Sequence, residues 1–356
     1  MNAPDRPLVS VLTPVYNGEE YLAEAIESVL AQTYPHWEYL IVENHSTDGT
    51  AQIARSYAAR DDRIRVLTPE RFVDAWENHH FAFRSVSANA AYVKVVHADD
   101  WLFPSCLDEM VTLAESNPRV GIVSAYRLDD IRVSLTGLPC RRNVFSGREI
   151  ARAELLTGIF VFGTPSSILL RAELVRSRDP YFDTDRFPRH ADTAACLDLL
   201  QNWDFGFVHQ VLTYTRRHPG SLTTKAARLN TYIAENLKML ITYGPDFLAP
   251  EELEDRLEKR LLKYHLTLAG SLFARPDREF WNHHRDALRE LGHPLSYRKL
   301  LRGLLVQAAT TSPADILKSL RGALKRVLPG PRPSSNPDES KELVRTGEDQ
   351  PQKSLP

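Results

Sequence analysis

The chain has 356 residues, enough for one large domain or two of ordinary size, and its 43% hydrophobic content supplies a full core. A formal charge of -2 gives no global attraction for nucleic acid. Three dispersed cysteines, Cys106, Cys140 and Cys196, form no CxxC pair, which argues against a disulfide framework or a structural zinc site and fits a reducing compartment.

Met1 to Pro7 carry no apolar signal core, and no run of about 18 apolar residues occurs, so the expectation is a cytoplasmic chain without a transmembrane helix. Leu8 to Thr13 reads as a buried strand ending at Pro14. Tyr21, Leu22, Ala25, Ile26, Val29 and Leu30 recur at helical spacing. Trp37 to Val42 reads as a second strand, and the polar loop Glu43 to Thr50 leads into a helix through Ile53 and Tyr57. Ile64 to Leu67 is a third strand and Asp74 to Arg84 a helix. This alternation over roughly the first 125 residues predicts an α/β fold with a doubly wound, mostly parallel sheet.

Tyr92 to Leu102 is the most informative stretch. An apolar run, Tyr92, Val93, Val95 and Val96, suits a buried strand and ends in His97, Asp99 and Asp100. Ligands of open α/β sheets bind beyond the carboxyl ends of the strands. An imidazole and two carboxylates there suit a divalent cation that holds a diphosphate, although a solvated acidic turn has the same composition. Asp100 has two readings, a second ligand or the cap of a helix near Pro104. No GxGxxG follows the first strand and no GxxxxGK[ST] occurs, which implies a nucleotide held by side chains and a metal rather than by a glycine-rich cradle.

Thr13-Pro14-Val15-Tyr16-Asn17-Gly18-Glu19, Ser28 to Tyr34 and Ser46-Thr47-Asp48-Gly49-Thr50 resemble the amino-terminal half of the family 2 glycosyltransferases. The resemblance implies a GT-A fold and an inverting transfer of sugar from a nucleotide-diphosphate sugar to an acceptor hydroxyl, in cell-surface polysaccharide or glycoconjugate synthesis. It covers residues 8 to 125 well and 160 to 220 more loosely. It implies nucleotide contacts for Pro14, Tyr16, Glu19, Glu43, Asn78, His97 and Asp99, and metal ligation by Asp99, with Asp100 and His218 as further candidates. Arg216 and Arg217 are implied at the diphosphate, Ser166 beside sugar and acceptor, and Asp192, at a helix start, as the catalytic base. Asp183, Asp185 and Asp198 are its rivals. The cofactor implied is Mn²⁺ or Mg²⁺, the default donor a UDP-sugar, and the acceptor a glycan or lipid-linked sugar.

Two departures stand out. Glu43-Asn44-His45 replaces the family's Asp-Asp-Gly, and His97 replaces the first acid of its acid-x-acid motif. Neutral imidazole suits Mg²⁺ poorly, so His97 is expected on the ribose or a water rather than on the metal. The departures keep a degenerate nucleotide-sugar-binding module open as an alternative. A nucleotidyltransferase is the other, although Thr13 to Glu20 lacks the basic glycine-rich loop expected of one.

Beyond Asp192, Phe205 to Val208 and Val211 to Thr215 read as two short strands. The strand pattern then stops. The domain reading is a catalytic GT-A domain over 1–224, a helical region over 225–328 and a disordered tail over 329–356. Between Arg298 and Arg326 seven Lys or Arg accompany one acid, Asp315, and a leucine-rich face. A basic amphipathic segment over 296–328 suits either packing on the core or the anionic inner face of the cytoplasmic membrane. The helical region could also help form a homo-oligomer.

Overall fold

The computed structural model of the protein describes residues 6–218, 229–274 and 277–310. The chain divides into two compact units, Met1–His265 with Asp277–Ser296, and Leu266–Pro276 with Tyr297–Pro356.

The first unit is built on one sheet. Its strands are β1 (Val9–Val15), β2 (Trp37–Glu43), β3 (Ile64–Leu67), β4 (Tyr92–Val95), β5 (Trp101–Leu102), β6 (Val120–Asp129), β7 (Arg132–Ser134), β8 (Val144–Phe145), β9 (Leu169–Arg171) and β10 (Asp204–Thr215). They lie in the order β3-β2-β1-β4-β9-β6-β10-β5, with β7 on β6 and β8 on β10. Pairing is parallel between β3, β2, β1 and β4 and between β6 and β10. β9 runs antiparallel to both β4 and β6, so those two strands point the same way. The doubly wound, mostly parallel sheet expected from the alternation is therefore present, with one inverted strand near its centre.

The helices of this unit follow from periodicity and caps. α1 (Leu22–Leu30) buries Leu22, Ala25, Ile26 and Val29, and α2 (Thr50–Ala58) follows β2. α3 (Ala75–Arg84) starts where the Asp74 carboxylate accepts the Trp76 and Glu77 amides. α4 (Cys106–Glu115) follows β5. α5 (Gly147–Thr157) starts where Ser146 accepts the Glu149 amide and ends at Gly158, in the left-handed region at φ 76°. α6 (Ala172–Arg176) and α7 (Ala191–Leu199) complete the sheet's cover. Gly147 permits a close approach, because an added Cβ would lie 2.1 Å from the Trp203 carbonyl oxygen.

Successive strand residues alternate between two cores. Val11, Tyr39 and Ile41 face one shared with Ile26 of α1 and Met110 of α4. Leu12, Leu40 and Val42 face the other, shared with Phe83 of α3, Leu155 of α5 and Leu197 of α7. Each such buried aliphatic side chain contributes about 1.5–3 kcal/mol.

Two differences from the sequence reading concern the sheet. The strands expected at Phe205 to Val208 and Val211 to Thr215 are one strand, β10, whose register on β6 shifts between Val208 and Val211. A bulge, not a turn, explains the polar His209-Gln210 pair between the apolar runs. β6 was not anticipated. It pairs with β10 on one side and β9 on the other, so a central strand lies where no strand was expected.

α8 (Thr231–Phe247), α9 (Pro250–Ala274) and α10 (Arg278–Glu290) supply the carboxy-terminal helices. α8 donates Tyr243 Oη to the Ala194 carbonyl of α7 at 3.1 Å. Arg152 of α5 forks onto Glu252 at 2.6 and 2.9 Å. The second unit contains the end of α9 and α11 (Tyr297–Thr310), which exposes Tyr297, Leu301 and Leu305. Among the described residues no helix is long and apolar enough to cross a membrane. Residues 311–328 of the expected basic segment, and the tail from 329, lie outside the described residues.

Glu154 of α5 is 4% exposed, and its Oε2 has no hydrogen-bond partner. Burial, only partly opposed by the Arg260 guanidinium, pushes its carboxyl from the ordinary 4.5 up to about 8. A raised folded-state value contributes stability that is complete below pH 4.5 and lost as pH rises through about 8. Glu154→Gln should therefore gain on the wild type by about 3 kcal/mol between pH 5 and pH 8, read by urea unfolding at both pH values. A pH-independent difference would contradict the burial of this carboxyl.

Candidate active site

The register of the parallel strands brings their carboxyl ends level. Val15 pairs with Glu43, and Leu12 with Val95. The loops after β1 and β2 are tied together there. Asn17, at φ 51°, donates its amide N–H to Ser46 Oγ at 3.0 Å and accepts the Thr47 N–H at 2.8 Å. Gly18 donates to Thr50 Oγ1 at 2.8 Å, and Glu19 Oε2 accepts the Gly49 N–H at 2.6 Å. Glu19 thus braces the two loops. Pro14 sits within β1 opposite Val42, and Tyr16 is 47% exposed with its ring against Phe72 at 4.9 Å. The Tyr16–Phe72 pair is an exposed aromatic edge beside the strand ends.

Glu43, Asn44 and His45 each have a local physical explanation. Glu43 is buried and accepts the Ser46 N–H at 2.5 Å. Asn44 clasps the backbone of Val73, donating to its carbonyl at 2.8 Å and accepting its N–H at 3.0 Å. An aspartate is acceptor-only and cannot make both bonds. His45 takes φ 56°, a conformation that favours glycine, and its Nε2 lies 2.8 Å from the Pro69 carbonyl oxygen. Both side chains hold the segment that carries Phe72. Asn78 of α3 donates to the Val42 carbonyl at 3.4 Å, and its buried Oδ1 has no partner.

At the end of β4, His97 donates its backbone N–H to Ser166 Oγ at 3.0 Å. The Ser166 carbonyl is held in turn by Lys94 Nζ at 2.6 Å, and the Ile168 carbonyl by the same ammonium at 3.2 Å. Lys94 is fully buried, and burial lowers its pKa against the pull of Cys106 and Asp100. Around the His97 side chain, Asp100 Oδ2 lies 3.7 Å from Nδ1 and His79 Nε2 lies 3.1 Å from Nε2. Burial disfavours the imidazolium of His97, but the Asp100 carboxylate, with Asp99 and Asp192 behind it, outweighs that and raises its pKa. Burial and the neighbouring His97 instead push His79 down to about 3.

His97, Asp99 and Asp100 each offer a ligand atom within 4.8 Å of the others. Asp99 Oδ2 lies 3.0 Å from His218 Nε2, which brings the far end of β10 onto the same cluster. Asp100 is buried and accepts the Arg216 backbone N–H at 3.3 Å. It does not cap the following helix, because α4 begins only at Cys106, after Ser105. That removes the capping reading of Asp100.

The Arg216 guanidinium donates through Nε to the Asp99 carbonyl at 3.4 Å, lies 4.2 Å from the centre of the Tyr21 ring, and pairs with Glu24 at 2.7 Å. Trp101 and Tyr214 stack at 3.8 Å beside it. Arg217 is bound by both oxygens of Asp129, at 2.5 and 2.6 Å, and Asp129 also holds Arg127 at 3.0 Å. These pairs anchor the end of β10 over the strand ends.

Asp192 opens α7, where its Oδ1 accepts the Thr193 N–H at 2.8 Å. Burial raises its pKa while His190 and, more weakly, His97 pull it down. Asp192 forms part of the wall of a small cavity whose other walls include Val95, Pro165, Tyr181 and Phe182. The rival carboxylates have other occupations: Asp198 pairs with Arg178 at 3.2 Å, Asp183 caps the Arg186 amide at 3.0 Å, and Asp185 is exposed.

Sequence reasoning passed over His79, Lys94 and Phe72. Lys94 had a signal, a lone charge inside an apolar strand. The approach of His79 to His97 had none, because eighteen residues and a strand change separate them. The Asn44 clasp yields a test. Asn44→Asp should lose one bond and leave a buried charge, destabilising the chain by about 1–3 kcal/mol in urea unfolding at neutral pH. Unchanged stability would contradict the clasp.

The comparisons with known proteins agree with this geometry. The family model described as glycosyl transferase family 2 matches residues 10–177. EpsE of Bacillus subtilis (strain 168), which carries a glycosyltransferase name, is 30% identical over 239 residues, covering 65% of this chain and 79% of EpsE. TuaG of the same organism, named for teichuronic acid biosynthesis, is 41% identical over 95 residues, covering 27% of this chain and only 37% of TuaG. Among solved structures, S. aureus TarS 1-349 in complex with UDP-GlcNAc superposes with a TM-score of 0.57 at 16% identity, covering 90% of this chain and 92% of that one. At that identity the likeness shows the fold alone. The sheet and helices described above are of the GT-A type, and the chain belongs to glycosyl transferase family 2, an enzyme family of glycosyltransferases.

Proposed function

We propose that the chain is an inverting, metal-dependent glycosyltransferase that moves a sugar from a nucleotide-diphosphate sugar to an acceptor hydroxyl in the synthesis of a cell-surface polysaccharide or glycoconjugate. The observation that carries this reading is the meeting of His97, Asp99 and Asp100 within 4.8 Å at the carboxyl ends of the strands, with Asp192 near enough for its charge to act on His97.

The nucleotide lies over the loops after β1 and β2. Tyr16 and Phe72 supply an aromatic edge for the base, and Glu43 and Asn78 line its inner side. Uracil is the default base, in keeping with the UDP-GlcNAc held by TarS. The donor set suits a hard divalent cation, because Asp99 and Asp100 bring carboxylate oxygens and His218 adds a nitrogen beside Asp99. A cation held by these residues would supply charge to offset that developing on a departing diphosphate. Arg216, beside Asp99 and Asp100, adds a second cationic group on the leaving side. Ser166 holds the turn beside the sugar.

Asp192 is the base. Its carboxylate takes the proton of the acceptor hydroxyl as the oxygen attacks the anomeric carbon on the face opposite the leaving group. Its raised pKa makes it a better proton acceptor than an exposed aspartate, and turnover should fall as pH drops through that value. Asp192→Asn should lower kcat by about 10²–10⁴-fold with UDP affinity nearly unchanged, measured by sugar release from a panel of nucleotide sugars and by calorimetry. Near-normal turnover in that variant would remove Asp192 from the role.

The enzyme reaches its acceptor at the inner surface of the cytoplasmic membrane through the segment that begins with α11. The exposed Tyr297, Leu301 and Leu305 recur every four residues, and Arg298 and Arg302 sit one position on from the first two. That pairing of apolar and basic groups suits an anionic lipid surface. The double change Leu301→Glu and Leu305→Glu should cut sedimentation with phosphatidylglycerol vesicles by about tenfold. Equal binding of wild type to purely phosphatidylcholine vesicles would argue against the electrostatic part.

A further inference from the structure

His79 belongs to no motif, yet it determines what His97 can do. Its Nδ1 lies 2.7 Å from the Ala75 carbonyl oxygen, one turn earlier in α3. Its Nε2 lies 3.1 Å from His97 Nε2, with the two rings nearly perpendicular at 80°. A carbonyl oxygen can only accept, so the hydrogen of the neutral His79 ring sits on Nδ1. Its Nε2 is then a bare lone pair. Two ring nitrogens in hydrogen-bond contact share one hydrogen, and here that hydrogen has to belong to His97 Nε2. The other nitrogen of His97, Nδ1, faces Asp100, and its backbone N–H is held by Ser166.

We infer that His79 is a positioning residue that commits His97 to donate through Nε2, closing that nitrogen to metal and leaving Nδ1, the nitrogen that faces Asp100, as the one His97 can turn to a cation held with Asp99 and Asp100. This rests on the metal-dependent reading above. The chain Ala75–His79–His97 is a strut from α3 to the end of β4, and it lets a donor stand where the resembled family has a carboxylate. It also accounts for both histidines together. A carboxylate at position 97 would meet the His79 lone pair with no hydrogen to share, so His97→Asp alone would not recreate an acid-x-acid metal site.

The test uses the full chain labelled with ¹⁵N-histidine. Imidazole ¹H–¹⁵N correlation spectra, assigned with His79→Gln and His97→Gln, should show His79 protonated at Nδ1 and bare at Nε2, and His97 protonated at Nε2. A His79 ring protonated at Nε2 and bare at Nδ1 would overturn the inference. His79→Gln offers its side-chain oxygen as a replacement acceptor and should leave the His97 Nε2–H signal in place. His79→Leu, if folded by circular dichroism, should shift or broaden it, and an unmoved signal there would also count against the strut.

A second arm follows free Mn²⁺ by electron paramagnetic resonance in the presence of UDP. Asp99→Asn should weaken Mn²⁺ binding by about tenfold or more, and His79→Leu, which frees His97 to carry its hydrogen on Nδ1, should weaken it as well, whereas His79→Gln should stay within about threefold of wild type. Unchanged Mn²⁺ affinity in both His79→Leu and His97→Gln would show that Nδ1 of His97 does not meet the cation and would overturn the ligand half of the inference. Failure of the wild type with UDP to bind Mn²⁺ would sink the metal-dependent reading, and with it the ligand half of the inference, while the spectra decide the strut independently.

Discussion

A single buried ammonium ties together the parts of this site that come from distant stretches of chain. Lys94 points from the middle of β4 into the protein and bonds the carbonyls of Ser166 and Ile168. Removing an ammonium from water is costly unless its donors are satisfied. Here both carbonyls lie just before the inverted strand β9. The bonds therefore fix where the turn at Pro165–Ser167 sits, and that turn gives Ser166 to the backbone of His97. The three-residue ladder of β4 and β9 and the packing of Val95 with Pro165 and Ile168 around one small cavity join the same two segments.

From that anchor the site extends in two directions. Toward β1 and β2, the loops hold one another by side-chain bonds through Asn17, Glu19, Ser46 and Thr50, and Asn44 clasps the segment that carries Phe72. Toward β10, Arg216 and His218 reach back to Asp99 and Asp100. Much of the polar chemistry near the strand ends is thus positional. Glu19, Asn44, His45 and Ser166 are occupied in shaping loops, whereas the Tyr16 ring is exposed and Asp99 stands beside His218. That division explains how the chain departs from its relatives at Glu43-Asn44-His45 without losing the loop. Asn44 gains a donor that aspartate lacks, and His45 offsets its unfavourable backbone conformation with a bond to Pro69.

Much of this architecture was legible in the residues. The apolar runs at Val9, Trp37 and Tyr92, the helical spacing after Tyr21 and the cap at Asp74 mark elements that form where their local chemistry dictates. β6 and the continuous β10 were less legible. A bulge at His209-Gln210 looks in sequence like a break between two strands, because the polar pair interrupts the apolar alternation while the backbone ladder continues around it. The inverted direction of β9 was likewise unmarked, since direction in a sheet is set by partners and not by the strand's own side chains.

The sequence by itself determined the fold class, the family and the chemical types gathered at the strand ends, because these rest on local periodicity and on short motifs whose residues act close to one another. Only the tertiary structure decided what each group has left to offer. His79 arrives from α3 to meet His97 at its Nε2, and Asp100 looked like a possible cap until Arg216 arrived from the end of β10. Hydrogen-bond capacity is finite and is spent on whichever partners the fold brings within about 3 Å. Those partners are eighteen and 116 residues away, beyond the reach of any local pattern.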